Sequence, residues 1–219
     1  STQGVSSAAS DVYKRQITVG FSQVGAESDW RTANTESMKS TFSEDNGYEL
    51  IFDDAQQKQE NQLTAIRNFI QQEVDYIVLA PVTETGWDTV LQEAKDAGIP
   101  VIIVDRMVDV SDDSLYTAWV GSNFKLEGQK AMAWLDAYLE AKGRGDEEIN
   151  LVDIQGTIGA SAQIGRTEGF DEAVEAHDNW TTLAQQSGEF TQAKGQEVME
   201  SILKPVSYTH LTLPTILLV

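Results

Sequence analysis

The sequence predicts an α/β protein with two lobes, each built on a parallel β-sheet that carries helices on both faces. Short apolar segments, typical of buried strands, begin near residues 17, 48, 75 and 100 and alternate with segments whose apolar residues follow helical spacing. Strands and helices that alternate in this way form right-handed βαβ units on a parallel sheet. The alternation breaks after Arg106 and then resumes as a second series, which predicts the second lobe.

The elements of the first lobe are bounded by residues that start or stop regular structure. The first helix begins at Ser28 or Asp29, where a short polar side chain can cap it, and is expected to run to about Asn46 before Gly47. Gly98 supplies the position that follows the third helix. The predicted strands are 17–22, 48–53, 75–80, 100–105 and 116–120, and the predicted helices are 28–46, 57–73 and 85–97.

The second lobe is expected to begin after the fifth strand, near residue 122. A polar loop over 107–115 interrupts the earlier pattern, and the glycines of 143–145 end a long helix. The predicted elements are helix 123–141, strand 149–154, helix 160–176, strand 181–186 and helix 190–203. The predicted domains are therefore a lobe over 17–121 and a partial lobe over 122–204, because two strands are too few for a sheet with both faces covered.

The two ends of the chain differ in composition from the segment between them. Residues 1–16 are small and polar, and they lack the apolar core of a signal peptide. Residues 205–219 contain no charged side chain, and their apolar part is shorter than the roughly 20 residues that span a bilayer. Both ends resemble translated adaptor sequence, which predicts a non-native leader, a non-native tail and a truncated gene. A disordered arm with a natural C-terminal strand is the alternative.

Composition restricts the functions open to this chain. Its 219 residues carry 35 acidic and 15 basic side chains, a formal net charge of −20. Such a surface repels nucleic-acid phosphates and anionic membranes. The absence of cysteine excludes thiolate zinc sites and thiol catalysis, and the presence of only two histidines argues against a histidine metal site. We therefore expect no nucleic acid, no metal and no cofactor.

Polar residues follow several predicted strands, at the edge where open parallel sheets bind their ligands. Asp105 and Arg106 end one apolar strand, and together they offer two acceptor oxygens and five N–H donors. That combination suits the vicinal hydroxyls of a sugar, because hydrogen bonds from charged groups are strong. A surface ion pair at a strand end is the alternative explanation of the same two residues.

Three further residues are candidates for the same edge. Trp30 and Arg31 lie where the first helix begins, and an indole face can cover the apolar C–H face of a sugar. A tryptophan packed on its own lobe is the alternative. Arg166 lies in the segment IQGTIGASAQIGRTEGF, near the start of a second-lobe helix, where an exposed helix arginine is the alternative.

Seven segments resemble the periplasmic sugar-binding proteins of the ribose/galactose type, which are type I periplasmic binding proteins. The segments are ITVGFSQVGAESDWR, DDAQQKQENQ, VDYIVLAPV, GWDTVLQEAKDAGIPVIIVDR, LEGQKAMAWL, IQGTIGASAQIGRTEGF and SGEFTQAKGQEVMES. They occur in order and with compatible spacing over about residues 17–203. Within the family, the resemblance is strongest to the galactofuranose-binding member of a bacterial ABC importer.

The resemblance implies a solute-binding protein of the periplasm that captures a monosaccharide, such as galactofuranose or ribose, between its two lobes. It implies delivery of the sugar to an ABC transporter permease by a monomer that has no cofactor and is not an enzyme. By resemblance the ligand-binding residues are Trp30, which stacks on the sugar, the polar residues Arg31, Asp105, Arg106 and Arg166, and, more weakly, Glu27.

The family also implies more sequence than this chain contains. Full-length members continue past the point where this sequence changes to PVSYTHL, and that part would complete the second lobe and its half of the site. A ligand-sensing domain of a LacI-like regulator and a signalling-molecule receptor share the fold by resemblance. An enzyme on a doubly wound sheet is the alternative of a different class. A helix-turn-helix before Ile17 would indicate a regulator, whereas a signal peptide would indicate transport.

Overall fold

The computed structural model describes residues 15–204, whose strands form two separate parallel sheets. The predicted two-lobed α/β class is confirmed, while the division of the chain at residue 121 stays a prediction. The expectations for 1–14 and 205–219 lie outside the described residues. Arg15, at the end of the predicted leader, forms an exposed ion pair with Asp75 across 2.8 Å.

The first sheet has five strands in the order β2-β1-β3-β4-β5, all parallel to their neighbours. The strands are β1 (Ile17–Gln23), β2 (Tyr48–Asp54), β3 (Tyr76–Leu79), β4 (Val101–Asp105) and β5 (Ala118–Gly121). The helices between them are α1 (Asp29–Thr41), α2 (Gln59–Gln71) and α3 (Asp88–Asp96). Because only β3 separates β1 from β4, the loops that follow these two strands lie close together at one edge.

Two apolar clusters cover the two faces of the first sheet. The cluster on one face packs α2 and α3 against the strands and includes Phe69, Trp87 and Leu79. The cluster on the other face includes Val78, with the partly buried Met38 of α1 packed against it. Successive residues of β3 thus face opposite clusters, as the period-two alternation of a strand requires. Near-continuous apolar strands are therefore needed here, because both faces of the sheet are buried.

The second sheet is smaller and has two parallel strands. These are β6 (Ile149–Gln155) and β7 (Trp180–Ser187), and the helices of this lobe are α4 (Phe124–Ala141), α5 (Ser161–Glu175) and α6 (Gln192–Leu203). Its core joins α4 and α5 to the strands through Met132, Phe170 and Trp180. No helix among the described residues combines the length and the apolar content that crossing a membrane requires.

The first helix is shorter than the sequence predicts. It ends at Thr41 instead of Asn46, and a single 3₁₀ turn follows before Gly47. Phe42 leaves the helical conformation and packs its ring edge-on against Tyr48, with the ring centroids 5.2 Å apart. Gly47 does stop the segment, as predicted, with a left-handed φ of 87° that favours glycine.

We predict that Leu79→Ala lowers the free energy of unfolding by about 2–5 kcal/mol, because it removes buried methyl groups and leaves a cavity. Leu79 is fully buried between β3 and its covering helices. Urea unfolding of the 219-residue chain measures the effect. The control is Leu183→Ala on β7, where the side chain is exposed and a change within about 0.5 kcal/mol is expected. Equal effects of the two substitutions would contradict the described core.

Candidate ligand-binding cleft

The carboxyl edge of the first sheet carries a compact group of charged side chains. Glu27 lies in the loop after β1, and Arg31 lies in the first turn of α1. Ser28 caps this helix, its hydroxyl accepting a hydrogen bond from the Arg31 backbone N–H at 3.1 Å. Asp105 is the last residue of β4, and Arg106 follows it. The cap fixes where α1 starts and thereby aims the Arg31 side chain across the sheet edge toward β4.

These four side chains form a buried ion-pair network. Arg31 donates from Nε to Glu27 Oε1 at 3.0 Å and from Nη2 to Asp105 Oδ2 at 2.8 Å. Arg106 donates from Nη2 to the same Glu27 oxygen at 3.4 Å and from Nη1 to the Val82 carbonyl at 3.0 Å. The side chains of Arg31 and Glu27 are only 2% and 3% exposed. The side chains of Arg106 and Asp105 are 4% and 17% exposed, so the alternative of a surface ion pair at this strand end is wrong.

Burial changes the electrostatics of this network. Desolvation, followed by the nearby Arg31 charge, lowers the pKa of Arg106 from its ordinary value to about 10, while Glu27 and Asp105 oppose the shift. Arg106 is therefore still charged at neutral pH. Buried ion pairs contribute little net stability, because the desolvation of both partners offsets their attraction. A network of this kind thus calls for a functional explanation more than a structural one.

Two polar atoms of the network have no hydrogen-bond partner among the described residues. They are Glu27 Oε2 and Arg31 Nη1, both buried. A buried polar atom without a partner costs about 1–3 kcal/mol. The network therefore retains hydrogen-bonding capacity that its own residues do not use.

Asp105 occupies an unusual backbone position. Its φ is +63°, a left-handed conformation that aspartate and asparagine tolerate better than most residues. Its carbonyl accepts a hydrogen bond from the Trp119 indole N–H at 3.2 Å. Its side chain is 17% exposed and paired with Arg31, so most of this carboxylate is shielded from solvent.

The second lobe contributes another arginine–carboxylate pair. Arg166 of α5 donates from Nε and Nη2 to Glu127 Oε2 of α4, at 3.1 and 3.0 Å. The Arg166 guanidinium also lies 5.2 Å from the centroid of the Phe124 ring, within the range of a cation–π contact. The sequence-based alternative of an exposed helix arginine is wrong, because the Arg166 side chain is 18% exposed.

Phe190 connects the two lobes. Its ring lies 4.7 Å from the guanidinium carbon of Arg106 and 5.9 Å from that of Arg166. Phe190 and Glu189 both have a φ of +57°, so α6 starts at Gln192 and not at Phe190 as predicted. This loop follows β7, and the rule that ligands bind beyond strand ends could have identified it.

The lobes also meet through two backbone N–H groups of the first lobe. Glu84 donates to the Gly159 carbonyl at 2.9 Å, and Met107 donates to the Ser161 hydroxyl at 2.8 Å. Gly159 and Ser161 lie at the start of α5, the helix that carries Arg166. Together with Phe190, these contacts hold the two charged groups on opposite sides of one space.

That space is a cavity of about 210 Å³ between the lobes. All six residues predicted from the sequence line it, namely Glu27, Trp30, Arg31, Asp105, Arg106 and Arg166. Six more residues line the cavity that were not predicted as site residues from the sequence, namely Ser28, Ser122, Phe124, Glu127, Ala162 and Phe190. Among the six predicted residues Trp30 is the exposed one, with 49% of its surface accessible, and its ring lies 4.9 Å from the Arg31 guanidinium carbon.

The cleft residues are suited to hydrogen bonding and aromatic stacking. Within residues 15–204 no cluster of three or more histidine, aspartate or glutamate side chains is arranged to hold a metal ion. Guanidinium groups donate and carboxylates accept, so the cleft can satisfy a ligand that presents both kinds of group. The exposed Trp30 ring offers a flat apolar surface beside them.

The fold is that of a two-lobed α/β protein with a cleft between its lobes. Residues 19–211 match the periplasmic binding protein domain family, and the chain belongs to this family. The resemblance found in the sequence is thereby confirmed. The chain is 50% identical over 188 residues to the galactofuranose-binding protein YtfQ of Escherichia coli, an alignment that covers 86% of this chain and 57% of YtfQ.

Two solved structures are similar in both sequence and fold. One is a Mycobacterium smegmatis protein in complex with beta-D-fucofuranose, with 47% identity and a TM-score of 0.82 over 88% of this chain and 62% of that one. The other is the periplasmic binding protein component of a Shewanella arabinose ABC transporter bound to alpha and beta-L-arabinofuranose, with 49% identity and a TM-score of 0.77 over 86% and 60%. The chain thus spans about three fifths of the length of these proteins.

We predict that Asp105→Ala lowers the free energy of unfolding by about 1–3 kcal/mol, because Arg31 then loses a hydrogen-bond partner while buried. Alanine must also adopt the positive φ of this position. Asp105→Asn is the matched control, since asparagine keeps an acceptor oxygen and tolerates the backbone conformation, and it should cost less. Thermal unfolding of both variants measures the difference. An alanine variant as stable as the unmodified chain would contradict the buried ion pair.

A second, smaller cavity of about 40 Å³ adjoins the cleft and shares Arg166 and Phe190 with it. Asp153 of β6 lines this cavity, and burial raises its pKa from 3.8 to about 6, although a hydrogen bond from Gln185 opposes the rise. The nearby Asp171 charge acts in the same direction as burial. Ionised Asp153 is thus less favourable in the folded protein than in the unfolded chain.

The raised pKa of Asp153 predicts a pH-dependent loss of stability. Between about pH 4 and pH 6 the folded protein binds more protons at this site than the unfolded chain, so stability falls as pH rises. We expect Asp153→Asn to be more stable than the unmodified chain above pH 6, by roughly 2 kcal/mol. Near pH 4 the two should be nearly equal. Urea unfolding at pH 4 and pH 7.5 measures both differences, and an equal gain at both pH values would contradict the prediction.

Proposed function

We propose that the whole protein is a solute-binding protein that captures a monosaccharide between its two lobes. The observation that carries this proposal is the balanced set of charges around the cleft. Three guanidinium groups, from Arg31, Arg106 and Arg166, are paired with three carboxylates. A site without excess charge favours a neutral ligand over an anion or a cation.

The groups of the cleft match the chemistry of a neutral sugar. Each sugar hydroxyl both donates and accepts, so it can bond to a guanidinium and a carboxylate at once. The C–H face of a sugar ring is apolar and suits the exposed ring of Trp30 or the ring of Phe190. The cavity of about 210 Å³ is below the roughly 300–1,000 Å³ typical of drug-sized ligands, which favours a single sugar unit.

The names of similar proteins support a sugar in its five-membered ring form. YtfQ is a galactofuranose-binding protein, and the two similar structures contain fucofuranose and arabinofuranose. All three sugars are furanoses. We therefore propose a furanose monosaccharide, such as galactofuranose or arabinofuranose, as the ligand of the whole protein.

Delivery to an ABC transporter permease completes the proposal. One similar structure is the binding component of an arabinose ABC transporter, and the family is named for the periplasm. We propose that the protein works there as a monomer, without a cofactor, and that closure of the lobes presents a defined surface to the permease. A binding role of this kind requires no catalysis, which separates it from the enzyme alternative.

Calorimetric titration of the whole protein against galactose, arabinose and ribose, at neutral pH, tests the proposed ligand class. Binding of at least one of these sugars, with no binding of sugar phosphates, is the expected outcome, because the cleft has no excess positive charge. Turnover of a sugar or sugar phosphate would instead support an enzyme. The upstream gene sequence distinguishes transport from regulation, since a helix-turn-helix there would favour a regulator.

We predict that Trp30→Ala weakens sugar binding at least about tenfold, equivalent to about 1.4 kcal/mol, because the ligand loses an aromatic surface. Trp134→Ala on α4 is a matched control. Trp134 is 51% exposed against 49% for Trp30, but it does not line the cleft. Titration of both variants with the sugar that binds should show unchanged affinity for the control. Equal affinities of the two variants would show that Trp30 does not contribute to sugar binding.

A further inference from the structure

Helices α4 and α5 approach each other so closely that only glycine fits at three positions. A methyl group added to Gly128 would lie 2.5 Å from the Arg166 carbonyl oxygen, and one added to Gly169 would lie 2.6 Å from the Gln129 backbone nitrogen. At Gly165 the added methyl would lie 2.8 Å from a backbone nitrogen of α4. Contacts this short require one helix to move, because backbone atoms cannot turn aside as the end of a side chain can.

The close approach lies directly beneath the second-lobe half of the cleft. Gly128 follows Glu127 in α4, and Gly165 precedes Arg166 in α5. Glu127 and Arg166, the charged residues next to these glycines in the sequence, form the ion pair with N–O distances of 3.0 and 3.1 Å, and both line the cleft. The distance between the helix backbones therefore determines where the Arg166 guanidinium lies.

Glycine is disfavoured in the interior of a helix, because it loses more conformational freedom on folding than any other residue. Close packing against a neighbouring helix is one reason for a helix to keep glycine in its interior. At Gly128 that reason is specific, since the added methyl would also lie 3.0 Å from the Cα atom of Arg166 itself. The residue that would be displaced is thus a residue of the cleft.

We propose that Gly128 is a positioning residue that sets how far the Arg166–Glu127 pair reaches into the cleft. The proposal rests on the proposed function, because it requires Arg166 to contact the bound sugar. Gly128 itself does not line the cleft, although it lines the smaller cavity that adjoins it. Its effect on binding is transmitted through the backbone of α5, and a shift of well under 1 Å in a binding group is enough to weaken a site.

The first test compares two glycine-to-alanine substitutions in the whole protein. Gly128→Ala should weaken sugar binding about tenfold or more. Gly195→Ala in α6 is the matched control, because its added methyl would lie 4.0 Å from the nearest atom, an ordinary contact. The control should bind sugar as tightly as the unmodified protein. Calorimetric titration measures both, and unchanged affinity in Gly128→Ala would overturn the proposal.

A double-mutant cycle with Arg166→Ala distinguishes positioning from a general effect on the fold. If Gly128 acts through Arg166, then Gly128→Ala should have no further effect once Arg166 is alanine. If Gly128→Ala weakens sugar binding by the same factor whether residue 166 is arginine or alanine, then Gly128 acts by another route. That result would overturn the proposal. If Gly128→Ala does not fold, Glu127→Gln replaces it in the cycle, and unchanged affinity in that variant counts against the proposal.

A measurement without ligand separates this proposal from the proposed function. The NMR signal of the Arg166 Nε–H group, assigned by its loss in Arg166→Ala, should shift in Gly128→Ala and stay in place in Gly195→Ala. An unmoved signal would overturn the positioning role, whatever the ligand. Failure of the unmodified protein to bind any of the three sugars, together with a shifted signal, would overturn the proposed function and leave the positioning of Arg166 supported.

Discussion

The buried network of Glu27, Arg31, Asp105 and Arg106 is the constraint on which the rest of the cleft depends. Charges taken out of water are costly unless each has a well-placed partner, so the surrounding elements must hold all four side chains accurately. The helix cap at Ser28 orients Arg31, and the Val82 carbonyl accepts from Arg106. The order of strands in the first sheet brings the loops after β1 and β4 together, and without that order the network could not form.

The second lobe extends this network instead of repeating it. Its own ion pair, Arg166 with Glu127, is complete by itself, and Phe190 links it to the first lobe by contacting both Arg106 and Arg166. The hydrogen bonds at the start of α5 fix the same helix from its other side. Among residues 15–204 each apolar cluster belongs to one lobe, so the described contacts between the lobes are the few around the cavity. A cleft held in this way can open without exposing the interior of either lobe.

The sequence predicted the seven strands and six helices of residues 15–204 in their correct order, because apolar runs and helical spacing reflect burial directly. It also predicted the strand-end residues Asp105 and Arg106 as site candidates. It could not predict that Asp105 pairs with Arg31, since that partner is 74 residues away in the chain. Glu127 was missed for a related reason. Its ion pair with Arg166 forms only because α4 and α5 pack together, and the sequence around Glu127 does not show that contact.

The cleft differs from the rest of the molecule in its net charge. The chain as a whole carries a net charge of −20, yet the ionised groups around the cavity balance as three arginines and three carboxylates. The acidic surface repels anions and other acidic molecules at long range, whereas a neutral ligand experiences little of this field. Recognition of such a ligand then depends on hydrogen bonds made at short range inside the cleft. The positions of the paired side chains, more than the charge of the protein, therefore decide what the cleft can bind.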